Sequence, residues 1–325
     1  MKENIQEIVH GLYRISLPLS FGLDSVHTFA AVEQGRIALF DTGPYVPSSL
    51  SMYKNVLARI GRCVEDVDRI FITHSHVDHC GFAGRIKEIS GGSISLSEIE
   101  FDAITRAHRD HRKMDSIGYF WRHHGLDEKT IYTFRAVLDA FTSATAPFIT
   151  NHFLNDEEVI RIGDRTFCAL FTPGHTRGHV SFFLPEEQIL LSGDCILPHI
   201  TPNLSPDLTC PSFLPLDHFI RSLERIAGLQ VQWVYPAHGE PFNNLKTRVE
   251  EILDHHGQRK DLTWRSVSNN SQTASEISKK IFGDSLPGFE KGLAFNETFV
   301  HLIQLEKEGR IKRTQKDGRI CFIRI

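Results

Sequence analysis

Thr73-His74-Ser75-His76-Val77-Asp78-His79 puts four metal-ligating side chains into six residues, in the spacing His-x-His-x-Asp-His. A single ion cannot easily take all four from so short a loop. Two neighbouring ions can, with the alternate His74 and His76 serving one and the adjacent Asp78 and His79 the other. Imidazole suits Zn²⁺, Fe²⁺ and Mn²⁺, and the carboxylate suits the same borderline ions. The plain alternative is a polar loop with incidental histidines. With 18 His in 325 residues a chance pair is ordinary, but this pattern is not.

Working outward, two complete sites need further His and a carboxylate that both ions can share. Thr172-Pro-Gly-His-Thr-Arg-Gly-His179 offers His175 just after a strand-like run, 166–171. A second apolar run, 189–192, stops at Gly193-Asp194. A third, Trp233-Val-Tyr-Pro-Ala, leads into His238-Gly239. Every candidate thus stands at the C-terminal end of an apolar run, where the loops of a layered α/β fold carry function.

With these elements in hand, the chain resembles the metallo-β-lactamase superfamily, in particular its glyoxalase II-like branch. The resemblance is carried by Asp41-Thr42-Gly43, His74 to His79, Thr172-Pro-Gly-His-Thr176, Gly193-Asp194 and Ala237-His238-Gly239, in the family's order over residues 10–242. It implies an α/β fold, an αββα sandwich with a two-metal site. His74, His76 and His175 would hold one metal, Asp78, His79 and His238 the other, and Asp194 would bridge them. Asp41 matches a position beside the metals that orients a ligand without binding an ion. Paired cations lower the pKa of a shared water and polarise a carbonyl or phosphoryl oxygen, so no protein nucleophile is required. Asp78 is expected to move protons besides binding metal. No nucleophile elbow and no phosphate-binding loop is present.

The net charge of −4 argues against a general polyanion binder. No stretch is apolar for long enough to span a bilayer, and the first residues lack a signal-peptide core. The six cysteines, 63, 80, 168, 195, 210 and 321, contain no Cys-x-x-Cys. A cytoplasmic setting is therefore expected. Cys80 and Cys195, each next to a proposed ligand, read as small buried residues.

Strand-like and helical runs alternate over 10–98. Residues 98–147 read as a charged, aromatic, helical insertion that would cover the site as a lid, with its histidines (108, 111, 123, 124) facing solvent. The second half of the sandwich follows over 152–242. It includes the Pro-rich loop 197–203, whose His199 is a candidate substrate contact. A catalytic domain is expected over 1–262 and an appendage over 263–325. In the appendage, Thr273-Ala-Ser-Glu276 is a capping box, 295–308 a helix, and Asp317-Gly318 a hairpin turn. This arrangement resembles a winged helix and is similar to the C-terminal domain of the β-lactamase-like protein 2 group, whose animal members cut single-stranded RNA.

The appendage carries 11 Lys and Arg against 7 Asp and Glu, yet 294–309 holds only Lys307 against Glu297, Glu306 and Glu308. A net acidic helix does not enter a DNA groove, so sequence-specific DNA binding is not expected. The basic hairpin would suit a phosphate backbone. Otherwise the appendage shapes the substrate cleft or makes a homo-oligomer contact. The reading that follows is a hydrolase with two divalent metals, Zn²⁺ before Mn²⁺ or Fe²⁺, acting on a small-molecule ester, thioester or lactone. The alternatives are a single-strand endoribonuclease and an iron-dependent enzyme like the persulfide dioxygenases.

Overall fold

The structure, a computed structural model, describes residues 4–19, 23–109 and 112–325, with backbone alone at 108–109 and 112–115. A first sheet joins β1 (Ile5–Val9), β2 (Leu12–Pro18), β3 (Ser25–Glu33), β4 (Arg36–Phe40), β5 (Val67–Phe71), β6 (Ser93–Leu96) and β7 (His152–Phe153), in that order. β1 to β4 are antiparallel, and β4 to β7 run parallel. A second sheet is built from β8 (Glu158–Ile162), β9 (Arg165–Phe171), β10 (Val180–Leu184), β11 (Ile189–Gly193) and β12 (Trp233–Pro236), in the order β12-β11-β10-β9-β8. Here β11 and β12 are parallel.

The strand period of two sorts side chains into layers. In β4, Ala38 and Phe40 face the second sheet, while Ile37 and Leu39 face outward. Phe40 lies at the centre of the inter-sheet core, stacked on Phe167 at 4.7 Å and meeting Phe182 edge-on at 4.8 Å. The outward set packs against α1 (Ser49–Ala58) and α3 (Ala83–Ser90), with the short helix α2 (Val77–Cys80) just before α3. On the other side, Leu190 and Val234 pack against α7 (Pro215–Ala227) and α8 (Leu245–Ser266). The result is the expected αββα sandwich.

The insertion is helical: α4 (Glu98–Arg109), α5 (Arg112–His123) and α6 (Glu128–Ser143). The C-terminal region adds α9 (Ala274–Phe282), α10 (Gly288–Lys307) and a three-stranded sheet of β13 (Gln272–Thr273), β15 (Arg319–Arg324) and β14 (Ile311–Lys316). The capping box at Thr273 and Glu276 forms as expected. Helix α8 runs through the expected boundary at 262/263 without a break.

Insertion and C-terminal region share one hydrophobic core. Trp121, Leu126, Ile131 and Phe134 are buried together with Phe295, Phe299, Leu302 and Phe322. This corrects one expectation. His124 does not face solvent but is buried, its Nδ1–H donating to the Phe120 carbonyl at 2.8 Å and its ring 4.8 Å from Phe299. Burial lowers its pKa to about 4. His108 and His111 lie outside the described side chains.

Candidate metal centre

Each proposed ligand sits just beyond a strand end on one edge of the sandwich. Asp41 follows β4, His74 and His76 follow β5, Asp78 and His79 lie on α2, and His175, Asp194 and His238 follow β9, β11 and β12. Their donor atoms form two clusters. His74, His76, His175 and Asp194 make one; Asp78, His79 and His238 make the other, all within 4.8 Å inside each group.

Outer hydrogen bonds fix which nitrogen points inward. Thr73 Oγ1–H donates to Asp41 Oδ2 at 2.8 Å, so the contact of the same oxygen with His74 Nδ1 at 2.9 Å takes its proton from the imidazole. His175 Nδ1–H donates to the Asn203 carbonyl and His238 Nδ1–H to the Ser25 carbonyl, both at 2.8 Å. His79 Nδ1–H donates to Asp41 Oδ2 at 2.8 Å. All four rings therefore turn Nε2 into the centre, as metal-bound histidines do when an outer partner holds the other nitrogen.

Those inward atoms lack an adequate proton supply among themselves. His76 Nδ1 lies 2.9 Å from His74 Nε2 and 3.0 Å from His175 Nε2, both of them lone pairs. His79 Nε2 and Asp194 Oδ1 are buried with no hydrogen-bond partner. Asp194 Oδ2 stands 3.5 Å from both His175 Nε2 and His79 Nε2, and Asp194 Oδ1 stands 3.6 Å from His238 Nε2. Ligands of a tetrahedral ion at 2.0–2.1 Å are separated by about 3.3 Å. Converging lone pairs at this spacing fit cations, and the carboxylate of Asp194 faces both clusters.

The electrostatics agree. Burial, reinforced by neighbouring imidazoles, holds His74 well below its ordinary pKa, and burial takes His175 to about 4. Around the carboxylates, burial is outweighed. It opposes charge on His79, yet Asp194, Asp78 and Asp41 raise that pKa well above normal. It opposes charge on Asp78 as well, yet His79 and His238 draw it down to about 2. The carboxylates that favour positive charge on His79 would favour a cation at the same place.

Asp41 accepts three hydrogen bonds beside these residues. Its Oδ1 accepts the Thr73 N–H at 2.8 Å while Oδ2 serves His79 and the Thr73 hydroxyl. It does so with φ at +59°, a strained backbone for a residue with a side chain. Asp41→Ala is expected to weaken metal binding at the Asp78-His79-His238 cluster by about 10–100-fold, measured by chelator competition. His199 is exposed in the loop after Asp194. Cys80 and Cys195 are buried, burial pushes the Cys195 thiol to about 12 and Cys80 well above normal, and neither belongs to the two donor clusters.

One buried residue carries a role that the motif spacing does not reveal. His179 Nε2 accepts the Asp194 backbone N–H at 3.1 Å. Ser181 Oγ–H donates to the Ser192 carbonyl, so Thr172 Oγ1–H donates to Ser181, and His179 Nδ1–H to Thr172 at 2.8 Å. The chain locks the tautomer that holds Asp194. Gly193 leaves room for it, since a Cβ there would come within 2.7 Å of His179 Nε2. The only sequence signal is the second His of Gly174-His-Thr-Arg-Gly-His179.

Comparison with known proteins gives the same picture. The sequence signature of the metallo-beta-lactamase superfamily matches residues 22–238. A beta-lactamase-like protein 2 homolog of Caenorhabditis elegans is 27% identical over 91% of this chain and 83% of its own length. A probable metallo-hydrolase of Bacillus subtilis is 25% identical over 95% of this chain and 96% of its own. The crystal structure of a metallo-beta-lactamase family protein from Thermus thermophilus superposes with a TM-score of 0.86 at 28% identity, covering 98% of this chain and 100% of that one.

Proposed function

Since the chain belongs to the metallo-beta-lactamase superfamily, we propose that it is a metal-dependent hydrolase with two divalent ions, acting on a small ester, thioester or lactone. The observation that carries this reading is the pair of converging clusters with buried donor atoms left without partners. His74, His76 and His175 would hold one ion, Asp78, His79 and His238 the other, with Asp194 between them. The donor set of imidazole and carboxylate suits Zn²⁺ and accepts Mn²⁺ or Fe²⁺. Ions held there supply Lewis acidity and an activated water near neutral pH.

The protein's own part is orientation and charge. Asp41, Asn203, Ser25 and Thr73 fix the imidazole tautomers before any substrate arrives. Asp78, half-buried with Oδ2 3.3 Å from His238 Nε2, would move a proton at the cleft besides binding metal. His199, exposed on the loop that leaves Asp194, is assigned to the substrate. A relative described as a probable metallo-hydrolase, matched along nearly the whole chain, supports hydrolysis over the iron-dependent oxygenase alternative.

A single-strand ribonuclease is the second reading, favoured by the basic hairpin. Half of that charge is already used. Arg313 pairs with Glu306 at 2.7 Å, while Arg310 and Arg324 stack on Trp264 at 4.9 and 4.3 Å. Lys312, Lys316 and Arg319 remain exposed to a phosphate backbone. Helix α10, which would have to read bases, is largely buried along its length. Metal-loaded protein assayed on thioester, ester and lactone substrates and on labelled single-stranded RNA separates the two readings. Turnover of a small acyl substrate, lost in Asp194→Asn, is the expected result. RNA cleavage lost in the same variant, without acyl turnover, would overturn it.

A further inference from the structure

We infer that Glu100 is a positioning residue: it clamps together the two loops that supply the His74-His76-His175 cluster. The inference rests on reading that cluster as metal ligands. Glu100 lies in the first turn of α4 and is 1% exposed. Its Oε2 accepts the Ser75 backbone N–H at 2.8 Å, and its Oε1 accepts the Gly178 N–H at 2.7 Å. Ser75 is the residue between His74 and His76. Gly178 belongs to the loop that carries His175 and ends in His179. One buried carboxylate therefore bridges two segments that are about a hundred residues apart in sequence, His76 and His175 being in contact across the gap.

The clamp is closed from both sides. Ser97 Oγ–H donates to the Gly178 carbonyl at 2.7 Å, and the same oxygen accepts the Glu100 N–H at 3.3 Å. Both backbone polar groups of Gly178 are thus held by α4 and the residues leading into it. The Ser75 carbonyl in turn accepts the Cys80 thiol at 3.4 Å. Gly178 has no space for a side chain, as a Cβ would lie 2.7 Å from Ile99 Cβ and 2.9 Å from Glu100 Oε1. A carboxylate is the group that this geometry requires, since each oxygen takes one N–H. A glutamine would turn its NH₂ against one of the two donors, leaving a buried N–H unpaired. An aspartate would fall short by about 1.5 Å, one carbon–carbon bond.

Selectivity follows from what hangs on what. The second cluster is oriented by Asp41 and the Ser25 carbonyl. Glu100 therefore governs one metal and leaves the other largely alone. In chelator-competition titrations with Co²⁺, Glu100→Gln and Glu100→Asp are each expected to lose about 10–100-fold in affinity at one site, the scale of outer-partner substitutions, with the other site within about threefold. Ser97→Ala, which releases only the Gly178 carbonyl, is expected to give a smaller loss at the same site. Amide hydrogen exchange in metal-free protein reads the clamp without any ion. The Ser75 and Gly178 amides should exchange at least about tenfold faster in Glu100→Gln while the thermal midpoint of the protein holds. Unchanged exchange at both amides, or equal weakening of both metal sites, would overturn the inference. Wild-type protein that binds no Co²⁺ would instead refute the metal reading, and the exchange result would still decide the clamp.

Discussion

Asp194→Asn is expected to empty both metal clusters together and to cut acyl hydrolysis by about 10³-fold or more. The carboxylate reaches both groups: Oδ2 stands 3.5 Å from His175 Nε2 and from His79 Nε2, and Oδ1 stands 3.6 Å from His238 Nε2. An amide in its place offers one acceptor oxygen where the carboxylate offers two, and its N–H protons would occupy lone pairs that the ions need. It also removes the charge that balances two cations. Losing several kcal/mol of charge stabilisation in the transition state gives the stated loss in rate. His238→Ala makes the contrast. Its Nε2 faces Asp78 at 3.3 Å and, of the first cluster, the Asp194 carboxylate at 3.6 Å. That variant should lose mainly one ion per chain. Metal content after dialysis, alongside kcat, checks both, and equal loss of the two ions in His238→Ala would contradict separate sites.

The clustered His and Asp residues were readable because the chemistry is compressed into short stretches. His74 to His79 is a local pattern, and His175, Asp194 and His238 each follow an apolar run whose end the sequence marks with glycine. The same locality made the strands of the sandwich legible, since alternation in a run such as 36–40 reports two packed faces. What escaped is what only tertiary contact creates. Glu100 looks like any acidic residue in the first turn of a helix, and nothing near it in sequence announces Ser75 or Gly178. His124 reads as polar until Phe299 and Phe322 close over it. Helix α10 begins at Gly288 rather than near 295, because Gly288 and Gly292 hide a helix that packing demands. A Cβ at Gly292 would overlap the ring of Phe134, so the insertion dictates a small residue there against helix propensity.

Deletion of residues 263–325 should destabilise the insertion as well as remove the appendage, because the two share a core. Trp121, Leu126, Ile131 and Phe134 from the insertion would lose their cover from Phe295, Phe299 and Phe322. At about 1.5–3 kcal/mol for each large apolar side chain re-exposed, four such residues forfeit roughly 6–12 kcal/mol, the size of a domain's whole stability. The damage would reach the metals by a second route. Trp121 Nε1–H donates to Asn296 Oδ1 at 3.4 Å, Asn296 Nδ2–H to Ser205 Oγ at 3.1 Å, and Ser205 Oγ–H to Asn203 Oδ1 at 3.1 Å. The Asn203 carbonyl is the group that orients His175. The truncated protein is therefore expected to melt more than about 10 °C lower, or not to fold, and to lose acyl hydrolysis with it. Reversing only the exposed charges, with Lys312→Glu, Lys316→Glu and Arg319→Glu together, should leave the melting temperature within a few degrees and acyl hydrolysis intact. RNA binding by the wild type that vanishes in this triple variant would assign the hairpin to a phosphate backbone. A truncated protein with wild-type melting and wild-type acyl turnover would instead show that the appendage is an independent domain and that the shared core contributes little.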